Sequence, residues 1–147
     1  MVIRRMQVPD LEQVCAIEKG IFSDAWSRQG FVDSLNNEHA ILLCVVDKDQ
    51  VLGYCCLYTM IDEGEIVNVA VDERYRKKGI GAVMIAELLN LGREKGVEQF
   101  YLEVRESNIP AQRLYQKMGF ETAGIRKNFY EKPVENALIM HCHTLPL

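Results

Sequence analysis

Between residues 40 and 60 the chain reads AILLCVVDKDQVLGYCCLYTM, two stretches dense in apolar and β-branched residues around the polar turn Asp47 to Gln50. Two such runs around so short a polar turn commit the segment to a β-hairpin. EIVNVAV (65–71) adds a further strand. After it the period changes. A helical pattern runs from the glycines at 79 and 81 to about Lys95 and ends at Gly96. VEQFYLEV (97–104) reads as another strand, followed by a short helix from about Ile109 to Met118 with Gly119 as its cap. ENALIMHCHTL (135–145) closes the chain as a last strand. Ahead of the hairpin, VIRRM (2–6) alternates as a first strand. Pro9-Asp10 then opens a helix with Leu11, Val14, Cys15, Glu18 and Phe22 at helical spacing, and AWSRQGFVDSLNN holds a second, short helix capped by Ser27. Strands that first run as hairpins and then alternate with helices define an α/β (α+β) class with a mixed sheet.

No repeat, low-complexity tract or linker interrupts the 147 residues, so the expectation is one domain over 1–147. A composition 48% hydrophobic and 26% charged is that of an ordinary globular protein. The apolar runs are far too short to span a membrane, and MVIRRMQVPD has no signal core, which points to a cytoplasmic protein. Five cysteines without CxxC spacing read as reduced core residues. A net charge of −4 argues against general nucleic-acid binding.

That acidity makes RYRKK (74–78) conspicuous: four cations in five positions, directly before a helix whose start carries Gly79 and Gly81. A helix N-terminus offers unpaired N–H groups and about half a positive charge, and glycines let an anion approach the backbone. Arg76, Lys77, Lys78, Gly79, Ile80, Gly81 and Ala82 therefore form a candidate pyrophosphate site. The loop is neither GxxxxGK[ST] nor GxGxxG. A solvated basic turn is the plainer alternative.

RKKGIG (76–81) resembles the (Q/R)xxGxG/A signature of the GCN5-related N-acetyltransferases (GNAT), and NIPAQRLYQKMGF (108–120) is similar to that family's NxxAxxLYxxxGF block. AWS near residue 26, NVAVDERYRKKGIG, YLEVRESNIPAQRLYQKMGF and ENALIM resemble the bacterial ribosomal-protein-alanine N-acetyltransferases, the RimI type. That type carries Tyr-Tyr where this chain has Phe129-Tyr130, and Asp-Ala where it has Asn136-Ala137. The resemblance implies the GNAT fold, a mixed, mostly antiparallel sheet with helices on both faces. It also implies acetyl-coenzyme A as cosubstrate, with no metal. It gives Val69, Ala70 and Val71 backbone contacts to the pantetheine arm, and Asn108 a contact to the coenzyme besides its N-cap role.

Acetyl transfer to an amine requires a proton acceptor, a stabilised oxyanion and a proton for the departing thiolate. Glu103 lies near the end of strand 97–104, on the side of Tyr101 and Arg105, and glutamate is disfavoured in strands. The residues alone leave open a rim carboxylate paired with Arg105; the resemblance implies a proton acceptor. Tyr115 shares a helical face with Ala111, Leu114 and Met118, so it reads equally as a core aromatic. The resemblance implies the acid that protonates the thiolate. Trp26 lines the acceptor groove or packs the short helix, and by the resemblance Tyr130 binds the acceptor's backbone. His141 and His143 share a strand face but lack further ligands at suitable spacing, so no metal site is expected.

An α-amine, with a pKa about 7.7 to 8.0 against 10.4 for lysine, is easier to deprotonate by roughly 3.5 kcal/mol. The acidic run IDEGE (61–65) suits a basic peptide, or is a solvated turn. The expected partner is the N-terminal segment of a small-subunit ribosomal protein beginning with alanine. Acetylation of a polyamine or antibiotic, or non-catalytic acyl-coenzyme A sensing, are the alternatives; intact Glu103 and Tyr115 argue against a sensor.

Overall fold

The computed structural model describes residues 1–143. A seven-stranded sheet runs β1 (Val2–Arg5), β2 (Ala40–Asp47), β3 (Gln50–Met60), β4 (Glu63–Val71), β5 (Gln99–Arg105), β7 (Val134–His143), β6 (Glu121–Glu131) in spatial order. Every neighbouring pair is antiparallel except β4 and β5. That parallel pair needs a crossover, which α3 (Ile80–Glu94) supplies. The remaining helices are α1 (Leu11–Ile21), α2 (Arg28–Leu35) and α4 (Ile109–Lys117).

Both sheet faces are covered, which is why the hairpin runs are apolar without a break. Ile41, Leu43 and Val45 enter one core with Met84, Ile85 and Leu88 of α3 and Tyr115 of α4. Leu42, Cys44 and Val46 enter the other with Leu11 and Val14 of α1 and Phe31 of α2. Cys55 and Cys56 divide in the same way, as expected of adjacent strand residues. Ser27 caps α2 by accepting from the Gly30 N–H (3.1 Å), and Asn108 caps α4 by accepting from the Ala111 N–H (3.2 Å). Pro9 and Asp10 belong to a short 3-10 turn, Val8–Asp10, that leads into α1. Arg4 donates to both Asp10 carboxylate oxygens (2.8 and 2.9 Å), tying β1 to that turn.

One strand escaped the sequence reading. β6 is almost wholly exposed along its length, and its pairing with β7 shifts at Thr122/Gly124 and again at Arg126/Tyr130. Two shifts of register and the lack of a buried face erase the alternation that marks a strand. β7 extends the expected last strand by a residue at its start, and Thr144 and Leu145 of that expectation lie outside the described residues.

α3 reaches the sheet because Gly92 has no side chain. A Cβ there would lie 2.6 and 2.7 Å from the ring carbons Cε1 and Cζ of Phe100, and 3.1 Å from Leu57 Cδ2. Phe100 is fully buried and cannot swing aside. Gly92→Ala should therefore destabilise the fold, since overpacking costs about 1–3 kcal/mol and outweighs the gain of roughly 1 kcal/mol in helix propensity. Urea denaturation should show a lower midpoint at an unchanged slope.

Candidate active site

The site begins with a parting of strands. β4 and β5 pair only from Glu63↔Gln99 to Ile66↔Leu102, although both continue further. The cause lies on the other side of β4. Against β3, Cys56 faces Asn68 and Leu57 faces Ile66, so Val67 is bulged out. A bulge bends its strand and breaks the ladder locally. It also changes which face each residue meets. Ile66 joins the α3 core, Val67 and Ala70 the α1/α2 core, and Val69 and Val71 the α3 core again. Beyond the last pair the strands flank a cleft of about 510 Å³, lined by Glu103, Asn108, Tyr115, Trp26 and Tyr130 among others.

At the far end of β4, the basic loop enters α3 through Gly79, the N-cap, at φ +78°. This left-handed conformation suits glycine, and nothing lies within 4 Å of where its Cβ would be. Lys77 is also left-handed, at φ 63°. Arg76, Lys77 and Lys78 are exposed, and the first turn of α3 carries no acid. Arg76 donates to the Val71 carbonyl (3.3 Å) and Lys78 stands 5.6 Å from the centre of the Tyr75 ring. An open helix N-terminus, a left-handed glycine and exposed cations fit an anion such as a phosphate. Arg74 is engaged elsewhere, paired with Asp72 (2.9 Å). Gly81 has a packing reason that its sequence does not reveal. A Cβ there would meet Leu114 Cδ2 at 2.8 Å, so Gly81 lets α4 pack against the start of α3. Ile80 is buried in the core beside it, and Ala82 follows in the first turn.

Glu103 stands one residue past the last position at which β5 pairs with β4. Its side chain is 16% exposed, and its partner is Arg126 of β6 (3.0 Å). Arg105 is not that partner: it pairs with Glu135 (3.1 Å) and stacks 4.2 Å from the Tyr130 ring. The cation came from the strand that sequence patterning did not reveal. Burial holds the Glu103 carboxyl above the usual range; Arg126 pulls it down and Glu65 pushes it up. Glu65 itself, from the acidic run, accepts from the Tyr101 hydroxyl (3.2 Å). Tyr115 is 8% exposed and lies edge-on to Phe120. It is thus a core aromatic that also lines the cleft, and burial pushes its phenol well up. Trp26 both lines the cleft and packs 5.2 Å from Phe31.

Asn136 and Phe129 stand on the β6–β7 hairpin. Asn136 Oδ1 accepts from the Asn128 N–H (3.0 Å), where Asn128 is left-handed in the irregular part of β6. The Phe129 and Tyr130 rings pack edge to face, 5.1 Å apart.

The cleft also holds a residue that the sequence presented as one more helical position. Glu18 of α1 is 1% exposed. Its carboxylate accepts from the Tyr54 hydroxyl (2.6 Å), the Trp26 backbone N–H (2.9 Å) and Asn68 Nδ2 (3.1 and 3.3 Å). One side chain thus joins α1, the α1–α2 loop, β3 and β4. A glutamate in phase with Leu11 and Val14 was the available signal.

His141 and His143 share a face, with rings 4.9 Å apart, but among the described residues no group of three or more potential ligands could hold a metal.

A profile of the acetyltransferase (GNAT) family matches residues 11–120. A Bacillus subtilis protein is 36% identical over 139 residues, covering 94% of this chain and 92% of its own. The [ribosomal protein bS18]-alanine N-acetyltransferase of Haemophilus influenzae is 34% identical over 145 residues, covering 97% and 98%. The crystal structure of the ribosomal-protein-S18-alanine N-acetyltransferase of Escherichia coli superposes with a TM-score of 0.89 at 28% identity, covering 99% of this chain and 95% of that one. With the parted strands, the basic loop at a helix start and a family match over residues 11–120, this chain belongs to the GNAT acetyltransferase family.

Proposed function

We propose that this acyltransferase moves the acetyl group of acetyl-coenzyme A to the α-amine of a protein N-terminus, the terminal alanine of a small-subunit ribosomal protein. The observation that carries the chemistry is the meeting of a partly buried carboxylate, Glu103, and a buried phenol, Tyr115, in one cleft. The names of the Haemophilus and Escherichia relatives support the acceptor.

In this reading the basic loop and the α3 N-terminus hold the pyrophosphate, and the backbone of Val69 to Val71 guides the pantetheine arm. Asn108, at the α4 N-cap, contacts the coenzyme. Glu103 takes a proton from the acceptor's ammonium. The free amine attacks the thioester carbonyl carbon, and the C–S bond breaks as the Tyr115 hydroxyl donates its proton to the departing sulfur. The second proton lost from the nitrogen as the amide forms balances the one that Tyr115 gave up. A raised carboxyl is better matched to an α-ammonium than an ordinary glutamate, because its conjugate acid is closer in strength to the group it deprotonates. Trp26 and Tyr130 flank the acceptor's entry.

Glu103→Gln should lower kcat by about a hundredfold or more with little change in KM for acetyl-coenzyme A. The deficit should shrink as pH rises and more amine is already free. A deficit that stays constant with pH would assign Glu103 a structural role.

Arg126→Met tests the electrostatics separately. Arg126 lowers the Glu103 pKa, so its removal leaves burial and Glu65 in control and raises that pKa further. The base works only when ionised, so the acid limb of the kcat profile, measured with saturating peptide, should move to higher pH. An unmoved limb would mean that another group sets it.

A short peptide beginning with alanine and followed by basic residues should gain one acetyl group at its α-amine. Blocking that terminus should abolish the reaction even with lysines present. Mass spectrometry locates the group: acetyl on lysine side chains, or better turnover of spermidine, would reject the N-terminal assignment.

A further inference from the structure

The Glu18 network leaves one atom over. Asn68 is 6% exposed, and its Oδ1 is the only fully buried side-chain oxygen or nitrogen among the described residues without a hydrogen-bond partner. The orientation of the amide is not arbitrary. A carboxylate accepts and does not donate, so Glu18 turns the Asn68 amide nitrogen toward itself, and the carbonyl oxygen is held on the opposite side. Asn68 lines the cleft, as does Glu18. It follows the bulged Val67 directly, whereas Glu103 follows Leu102, the last residue of β5 paired with β4. Glu103 is thus one residue, and Asn68 two residues, past the last pair Ile66↔Leu102, so both flank the opening. Both turn to the α1/α2 side, since Leu102 and Val104 occupy the α3 core and Asn68 reaches Glu18 of α1.

We propose that Asn68 Oδ1 seats the reacting amine: an N–H of the acceptor's terminal nitrogen donates to it, and Glu18 fixes the amide in the orientation that accepts. The inference rests on the acetyl-transfer reading above and adds a positioning residue to it. A neutral primary amine has two N–H groups and one lone pair. With one N–H held by Asn68 after Glu103 has removed the third proton, rotation about the C–N bond is restricted and the lone pair is aimed rather than free. The ammonium form is held as well, since its N–H groups donate strongly to an amide oxygen. Asn68 thereby selects for an amine-bearing end over an acceptor of the same shape without one.

The test compares two ligands. With coenzyme A bound, the protein is titrated calorimetrically with an alanine-led basic peptide and with its desamino counterpart, in which propanoyl replaces alanine. The wild-type protein should favour the amine. Asn68→Ser shortens the side chain and withdraws the amide carbonyl oxygen from the cleft wall, and should shrink that preference about tenfold or more. Coenzyme A affinity should stay close to wild type, while the melting temperature should fall because Glu18 loses one of its donors. Asn68→Leu, which removes both polar atoms, is the second variant if the first does not fold. An unchanged preference in a folded variant, or an equal loss for both peptides, overturns the role of Asn68. The wild-type protein acetylating the peptide normally in that case leaves the acceptor reading intact. Failure of the wild type to acetylate the peptide at all removes that reading and this inference with it.

Discussion

The parallel pairing of β4 and β5 stops at Ile66 and Leu102, and the architecture of the site follows from that stop. A sheet continuous through this point would consume the backbone groups of Val69 to Val71 in a ladder. Because the strands part, β4 from Ile66 to Val69 lines a cleft, and side chains from α1, β5, α4 and the β6–β7 hairpin reach into it. The carboxylate and the phenol come from distant parts of the chain, and it is the gap between two strands that gives them a common space.

Opening a sheet exposes its edges to distortion, and the fold counters this with buried polar contacts. Glu18 would be costly to bury alone. Three donors around it turn that cost into a constraint, since moving α1, the α1–α2 loop or β4 would strip a partner from a charge out of water. On the other wall, Arg105 donates to Glu135 and to the carbonyls of Pro133 and Lys132, which holds the β6–β7 turn beside the cleft. Ser23 donates to the Lys132 carbonyl from the α1–α2 loop. The two walls are thereby fastened to each other as well as to the sheet.

Much of this was legible in the residues. The hairpin 40–60 announced itself because both of its faces are buried, and the basic loop because four cations preceded a helix. β6 was not legible, since a strand exposed along most of its length and twice out of register carries no hydrophobic period. With it went the partner of Glu103, for Arg126 comes from β6 and sequence proximity favoured Arg105. Gly81 was legible as unusual but not as to cause, because the contact that requires it involves Leu114, more than thirty residues away. Glu18 and Asn68 stood in view as single polar residues in apolar patterns. Nothing local distinguishes such residues from solvent-facing ones until the topology brings them together.

Val67 has a meaning for the history of such a fold. Ile66 turns to the α3 core, Asn68 to the α1 side and Val69 back to the α3 core, so these three would alternate correctly if Val67 were absent. A chain lacking that one residue could keep every buried side chain on its proper face and run β4 straight beside β5, ladder complete. In that sense the cleft amounts to one extra residue in a regular sheet, the length of a single codon.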